Sequence, residues 1–150
     1  MATDLALAAL HHLLVFGLVA MLVAEAVLLR GPLTADAIPR LAKLDGGYRM
    51  CAGLLLVVGL GRVFNGIKGA DFYLHNPWFH AKMGAFVLVG LLSILPTMKF
   101  LRWRKAQRAN PGFMPDAAEL ARLRTILRIE LVLLAAIFVL AAAMARYGGF

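Results

Sequence analysis

The stretch LALAALHHLLVFGLVAMLVAEAVLL, residues 5–29, is an apolar run that only His11, His12 and Glu25 interrupt. It is longer than the roughly 20 residues that a helix needs to cross a bilayer. Gly31 and Pro32 follow it and predict the end of the helix. No basic residue precedes the run, and it is too long for the apolar part of a cleavable signal peptide. The run therefore predicts a retained transmembrane helix.

Three further apolar segments follow in the chain, and together they predict four helices. The second segment reaches spanning length only if Arg49 and Arg62 extend their side chains toward opposite membrane surfaces. Pro77 fits the first turn of the third helix, where its missing N–H is not needed. The residues from 34 to 44 are expected to lie along the membrane surface. The expected helix boundaries are about 4–30, 44–64, 77–103 and 116–147.

The composition excludes several classes of protein. The 150 residues are 62% hydrophobic, whereas soluble domains are about 45–50% apolar. The net charge of +8 does not indicate nucleic-acid binding, because the basic residues lie between the apolar runs. A single cysteine, Cys51, excludes an internal disulfide. The HExxH, GxSxG and P-loop motifs are missing from the sequence.

The lysines and arginines predict the orientation of the helices. Twelve of the sixteen fall in two connections, four after the first helix and eight around RWRKAQR at residues 102–108. The positive-inside rule places these connections in the cytoplasm. The predicted fold is an all-α, integral membrane four-helix bundle of up-down-up-down topology with both termini on the outer side. The remaining four basic residues then lie on the outer side, and they are Arg62, Lys68, Lys82 and Arg146.

All four histidines fall in the outer half of this predicted bundle. His11 and His12 are adjacent, so their side chains point about 100° apart and only one faces the axis well. The first and third helices lie on a diagonal, and imidazoles facing each other across it leave room for a planar cofactor. Haem is the obvious candidate because histidine is a common axial ligand. Plain polar anchoring of these histidines at the membrane interface is the alternative.

Glu25 and Glu130 form a second polar pair, in the inner half of the predicted bundle. Ion pairing or extension to the inner surface is one interpretation, and a step in a proton path is the other.

Several stretches resemble the DUF2214 family of bacterial membrane proteins. They are Leu10–Leu14 (LHHLL), Gly59–Phe64 (GLGRVF) and Lys68–Lys82 (KGADFYLHNPWFHAK). This resemblance covers nearly the whole chain and implies a multi-pass protein of the bacterial cytoplasmic membrane.

The sequence also resembles, more distantly, the HemJ-type protoporphyrinogen oxidases, which are small haem-associated membrane proteins. His11 corresponds to the histidine in their first helix, and His80 with Lys82 corresponds to their His-x-Lys motif. The Pro-Arg pair and the later histidine of that family have no clear counterpart here. The resemblance implies haem b as cofactor and iron ligation by His11 and His80. Lys82 is the alternative second ligand or a propionate partner, and Arg62 helps to hold the propionates.

Three functional hypotheses follow. The first is a haem-b protein with redox or porphyrin-related activity, and the second is a membrane subunit or assembly partner without enzymatic activity. The third is a small transporter, which would need a homo-oligomer because four helices are few for a pathway. The expected partners are the lipid bilayer and haem or a porphyrin, with no nucleic acid.

Overall fold

A computed structural model describes residues 2–65 and 69–147. Within these residues the chain is all-α, and four helices are long and apolar enough to cross a membrane. This confirms the predicted all-α class and the prediction of four helices that are able to span a membrane. Lys68 lies outside the described residues. The helices are α1 (Ala2–Arg30), α2 (Ala37–Asn65), the short α3 (Gly69–Leu74), α4 (Pro77–Ala109) and α5 (Ala117–Tyr147).

Local capping chemistry sets the start and end of α4. The Asn76 side chain accepts a hydrogen bond from the backbone N–H of Trp78 at 3.0 Å, and Pro77 occupies the first turn. At the other end, the N–H of Asn110 donates to the carbonyl of Ala106 at 2.8 Å. With 33 residues, α4 is about 50 Å long and exceeds the roughly 30 Å hydrocarbon core. Its basic end therefore extends beyond the hydrocarbon.

Helix α2 begins at Ala37, whereas the sequence predicts a start near residue 44. Residues 37–44 of the segment expected to lie along the membrane surface are instead the first part of this helix. Ile38 and Leu41 are completely buried, so the segment packs within the bundle. Burial of these apolar side chains stabilises the early start of the helix.

The four long helices form a closed ring of neighbours. Helix α1 packs against α2 and α5, and α4 packs against the same two helices. Across the described residues, α1 and α4 are not in contact, so these two lie on a diagonal. Along α1 and α2 the contacts run in reverse order, with Gly59 beside His11 and Gly47 beside Met21.

The core of the bundle is largely apolar, and its two largest fully buried side chains lie at the basic end. Trp103 and Phe100 of α4 are fully buried there, with ring centroids 5.7 Å apart. Many large apolar side chains instead point outward along all four long helices. An exposed apolar surface of this extent is typical of contact with lipid. Representative outward-facing residues are Phe16, Val57, Leu91 and Val132.

Polar contacts join the helix ends on the basic side. Glu119 of α5 accepts hydrogen bonds from Lys99 and, at 2.9 Å, from Nε1 of Trp103. Arg124 donates through Nε to the carbonyl of Leu29, one of the last carbonyls of α1, which lack a helical partner. These contacts hold α1, α4 and α5 together where the bundle leaves the hydrocarbon.

At Gly47, a glycine that the sequence does not single out, α2 lies against the end of the Met21 side chain of α1. A Cβ added to Gly47 would lie 2.5 Å from the Sδ atom of Met21. By contrast, in the described structure a Cβ on Gly46, Gly53 or Gly84 would meet no atom within 4 Å. Gly47 therefore permits the helix contact, while Gly53 and Gly84 face open space.

We predict that Gly47→Leu lowers the free energy of unfolding by about 1–3 kcal/mol, because the new side chain overlaps Met21. Gly46→Leu is the matched control and should change it by less than about 1 kcal/mol. Adding Met21→Ala to Gly47→Leu should restore most of the lost free energy of unfolding, because it removes the overlapping side chain. Thermal unfolding in detergent, followed by circular dichroism, measures these effects. Equal stability of the two leucine variants would contradict the assigned contact.

Candidate functional site

A cavity of about 250 Å³ lies between the long helices, at the end of the bundle opposite the basic cluster. Its walls are mainly apolar, and α1, α2, α4 and α5 all contribute to them. Four basic or imidazole side chains interrupt this apolar lining: His11 and His12 of α1, Arg62 of α2 and Lys82 of α4. The principal apolar lining residues are Leu18, Leu55, Phe79, Phe86, Leu134 and Ile137.

His11 enters the cavity wall from α1 and is half-buried. Among the described residues, its buried Nδ1 atom has no hydrogen-bond partner. Gly59 of α2 lies beside the ring, and a Cβ at that position would be in ordinary van der Waals contact with Cε1 of His11, at 3.8 Å. An imidazole nitrogen without a protein partner in an apolar wall is available to a ligand.

Arg62 and Lys82 bring positive charge to the same end of the cavity. Both lie close enough to His11 to interact with it electrostatically. The Nζ atom of Lys82 lies 5.6 Å from the centroid of the Phe79 ring. Within the described structure, the buried Nε atom of Arg62 has no hydrogen-bond partner. The cavity thus combines apolar walls with two cations, which favours a ligand that carries negative charge.

The other three histidines make different contacts, and only His12 among them lines the cavity. The Nε2 atom of His80 donates to the carbonyl of Leu74 at 2.8 Å on the exposed side of the chain. His75 is exposed and pairs with Asp71 of α3 at 3.1 Å. His12 is at the cavity rim, and its Nδ1 atom donates to the carbonyl of Ala8 at 2.6 Å. The structure therefore brings His11, Arg62 and Lys82 together and leaves His80 outside the cavity.

Some cavity residues carry no functional signal in the sequence. Phe86, Leu134 and Ile137 are apolar residues within apolar helices, and only the packing of α4 and α5 places them beside His11. Tyr73 and Phe79 lie within the stretch that carries the family resemblance. That stretch contributes part of the wall in addition to Lys82.

The family described as "Predicted membrane protein (DUF2214)" has a model that matches residues 3–149. The chain belongs to the DUF2214 family. A search of the curated proteins gives no match, and a search of the solved structures gives none either. The comparisons confirm the DUF2214 resemblance and give no support to the more distant resemblance to HemJ-type oxidases.

The DUF2214 chain has a second polar region in the half of the bundle nearer the basic cluster. Glu25 of α1, Asp45 of α2 and Glu130 of α5 lie close enough to interact electrostatically. We refer to these three residues as the carboxyl cluster. Each is at most 2% exposed. The predicted extension of Glu25 and Glu130 to the membrane surface is therefore not what the structure shows.

Only part of the carboxyl cluster of the DUF2214 chain has partners. Asp45 accepts a hydrogen bond from the hydroxyl of Thr97 at 2.6 Å and pairs with Arg49 at 3.1 Å. Neither carboxylate oxygen of Glu130, nor Oε1 of Glu25, has a hydrogen-bond partner in the described part of the chain. No group of three or more His, Cys, Asp or Glu side chains among the described residues could hold a metal ion.

Proposed function

We propose that this protein is a multi-pass protein of the bacterial cytoplasmic membrane that binds haem b in the cavity at the His11 end of the bundle. His11 is the proposed axial ligand, and Arg62 and Lys82 are the proposed partners of the two propionates. The observation that carries the proposal is the buried ring nitrogen of His11, which is unpartnered among the described residues, in an otherwise apolar wall. Imidazole is a common axial ligand of haem iron.

The chemistry of the lining fits the parts of this cofactor. A porphyrin ring is flat and apolar, and the aromatic and aliphatic walls supply matching contacts. The propionates are carboxylates, for which an arginine fork and a lysine ammonium are good partners. Because His80 is bonded to Leu74 outside the cavity, the proposal assigns one protein ligand, His11, rather than a pair of histidines.

The size of the cavity favours a ligand that also contacts the surface of the bundle. Its 250 Å³ is slightly below the roughly 300–1,000 Å³ of common ligand pockets. However, Leu60 and Phe138 line the cavity and are 44% and 50% exposed, so it reaches the lipid-facing surface. A planar ring can therefore lie partly inside the bundle and partly against the acyl chains.

Bound haem supplies one-electron chemistry, which supports a redox or porphyrin-related activity. The residues of the chain bind and orient the group and exclude water from it. His11 would hold it from α1, Arg62 and Lys82 would neutralise its carboxylates, and Phe79 and Phe86 would supply apolar contacts. The alternative function is a membrane subunit or assembly partner without a cofactor.

We further propose the up-down-up-down orientation with both termini outside. The reverse-order contacts of α1 with α2 support antiparallel neighbours. The contacts that Glu119 makes with Lys99 and Trp103 place the end of α4 beside the start of α5. Twelve basic residues then lie at the cytoplasmic end.

An absorbance spectrum tests the haem proposal. Protein expressed with ample haem supply and purified in detergent should show a Soret band. His11→Ala should abolish the band, because it removes the proposed axial ligand. His12→Ala and His80→Ala are matched controls, and both should retain it because neither side chain is assigned to the iron. Absence of a band in the wild-type protein, or a band unchanged by His11→Ala, would overturn the proposal.

A second pair of variants tests the location of the site. Gly59→Leu should abolish the Soret band, because the added side chain fills the space beside His11. Gly53 is on the same helix but faces open space, so Gly53→Leu should leave the band unchanged. Circular dichroism on both variants checks that they fold. If the Gly59→Leu variant folds and keeps a full Soret band, the haem lies elsewhere. If the wild-type protein has no Soret band, the alternative of a membrane subunit without a cofactor is favoured.

Cysteine labelling tests the orientation. In a Cys51→Ser background, His75→Cys should react with a membrane-impermeant maleimide in intact spheroplasts. Arg104→Cys should react only after the membrane is permeabilised, because the basic end faces the cytoplasm. The reverse pattern would contradict the proposed orientation.

A further inference from the structure

The carboxyl cluster, Glu25, Asp45 and Glu130, presents an electrostatic problem that the proposed haem site does not address. The three side chains come from three different helices and are 1%, 2% and 1% exposed, respectively. They lie inside helices that are long and apolar enough to span a membrane. Burial of an ionised carboxylate in such a medium costs several kcal/mol unless a partner compensates it.

The groups that face the cluster supply little compensation. Asp45 is paired with Arg49, which is 48% exposed, and it also accepts a hydrogen bond from the hydroxyl of Thr97. From α2, the buried Tyr48 also lies close enough to all three carboxyls to interact with them electrostatically, and the Ser93 side chain of α4 is near it. Among the described residues, salt bridges join neither Glu25 nor Glu130 to a basic side chain.

The carboxyl cluster has too few positive charges beside it to be neutral when all three carboxyls are ionised. Three carboxyls face one guanidinium, that of Arg49, and this group is already paired with Asp45. Like charges held close together in a medium of low dielectric constant are not ionised simultaneously. Neutrality therefore requires two further positive charges.

We propose that Glu25 and Glu130 form an exchangeable proton-binding site in the cytoplasmic half of the bundle. Each glutamate holds one proton at neutral pH, and the Asp45–Arg49 pair connects the site to the aqueous boundary. The hydroxyls of Tyr48, Ser93 and Thr97 line the route between helices. Intramembrane acidic residues in this setting are typical of proton transfer.

This site is separate from the cavity that contains His11. None of the three carboxyl side chains lines that cavity as described. Leu22, which is buried and lies between His11 and Glu25 along α1, belongs to the apolar core. Proton binding by the carboxyl cluster therefore does not depend on haem binding.

Infrared spectroscopy of the full chain in lipid vesicles tests the proposal. At neutral pH the wild-type protein should show the C=O stretching band of protonated carboxylic acids, and the band should shift after transfer to D₂O. Glu25→Gln and Glu130→Gln should each remove about half of the band area, since each removes one of two protons. Glu119→Gln is the matched control on α5 and should leave the band unchanged, because Glu119 is paired with Lys99.

The wild-type spectrum alone can overturn the proposal, so the result does not depend on folding of the variants. Absence of a protonated carboxyl band at neutral pH would show that all three groups are ionised. A band that does not shift in D₂O would show protons that do not exchange. A band unchanged in both glutamine variants would assign the protons to other residues.

Discussion

A hydrocarbon solvent does not solvate charge, and the rest of this structure depends on that constraint. It requires that charged groups either reach the helix ends or turn inward toward one another. Some charged side chains reach a helix end, where they are exposed beyond the apolar part of α4; these are Arg102, Arg104 and Lys105. Other charged side chains turn inward, and Glu25 and Glu130 are buried in this way. Apolar side chains such as Phe16 and Val132 cover the outer surface instead.

The inward-facing polar groups divide into two sets of opposite charge at the two ends of the bundle. The cavity near the N-terminus of α1 is cationic through Arg62 and Lys82, and it suits an anionic, largely apolar ligand. The carboxyl cluster near the basic end is acidic and suits protons. Buried apolar residues such as Leu18 and Leu22 lie between the two sets. The proposed haem site and the proposed proton-binding site therefore lie apart within a single small bundle.

The sequence predicts the elements better than it predicts the sites. Apolar run length and Pro77 are sufficient to locate four helices, because both act locally. The early start of α2 depends on burial of Ile38 and Leu41 by other helices, which no local pattern reveals. His11 is adjacent to Arg62 only because of the α1–α2 register, and Asp45 joins the glutamates for the same kind of reason. His80 is turned away by its bond to the Leu74 carbonyl, a contact between residues that spacing alone does not predict.

The solvent around the middle of the bundle can be measured directly with spin labels. Labels at the outward-facing positions 16, 57, 91 and 132, in vesicles, report whether lipid or water surrounds them. If the four helices span the bilayer, molecular oxygen should collide with each label frequently, and a water-soluble nickel chelate should do so rarely. Frequent collisions with the nickel chelate at these positions would show that water covers the apolar surface, which would contradict the membrane-spanning bundle.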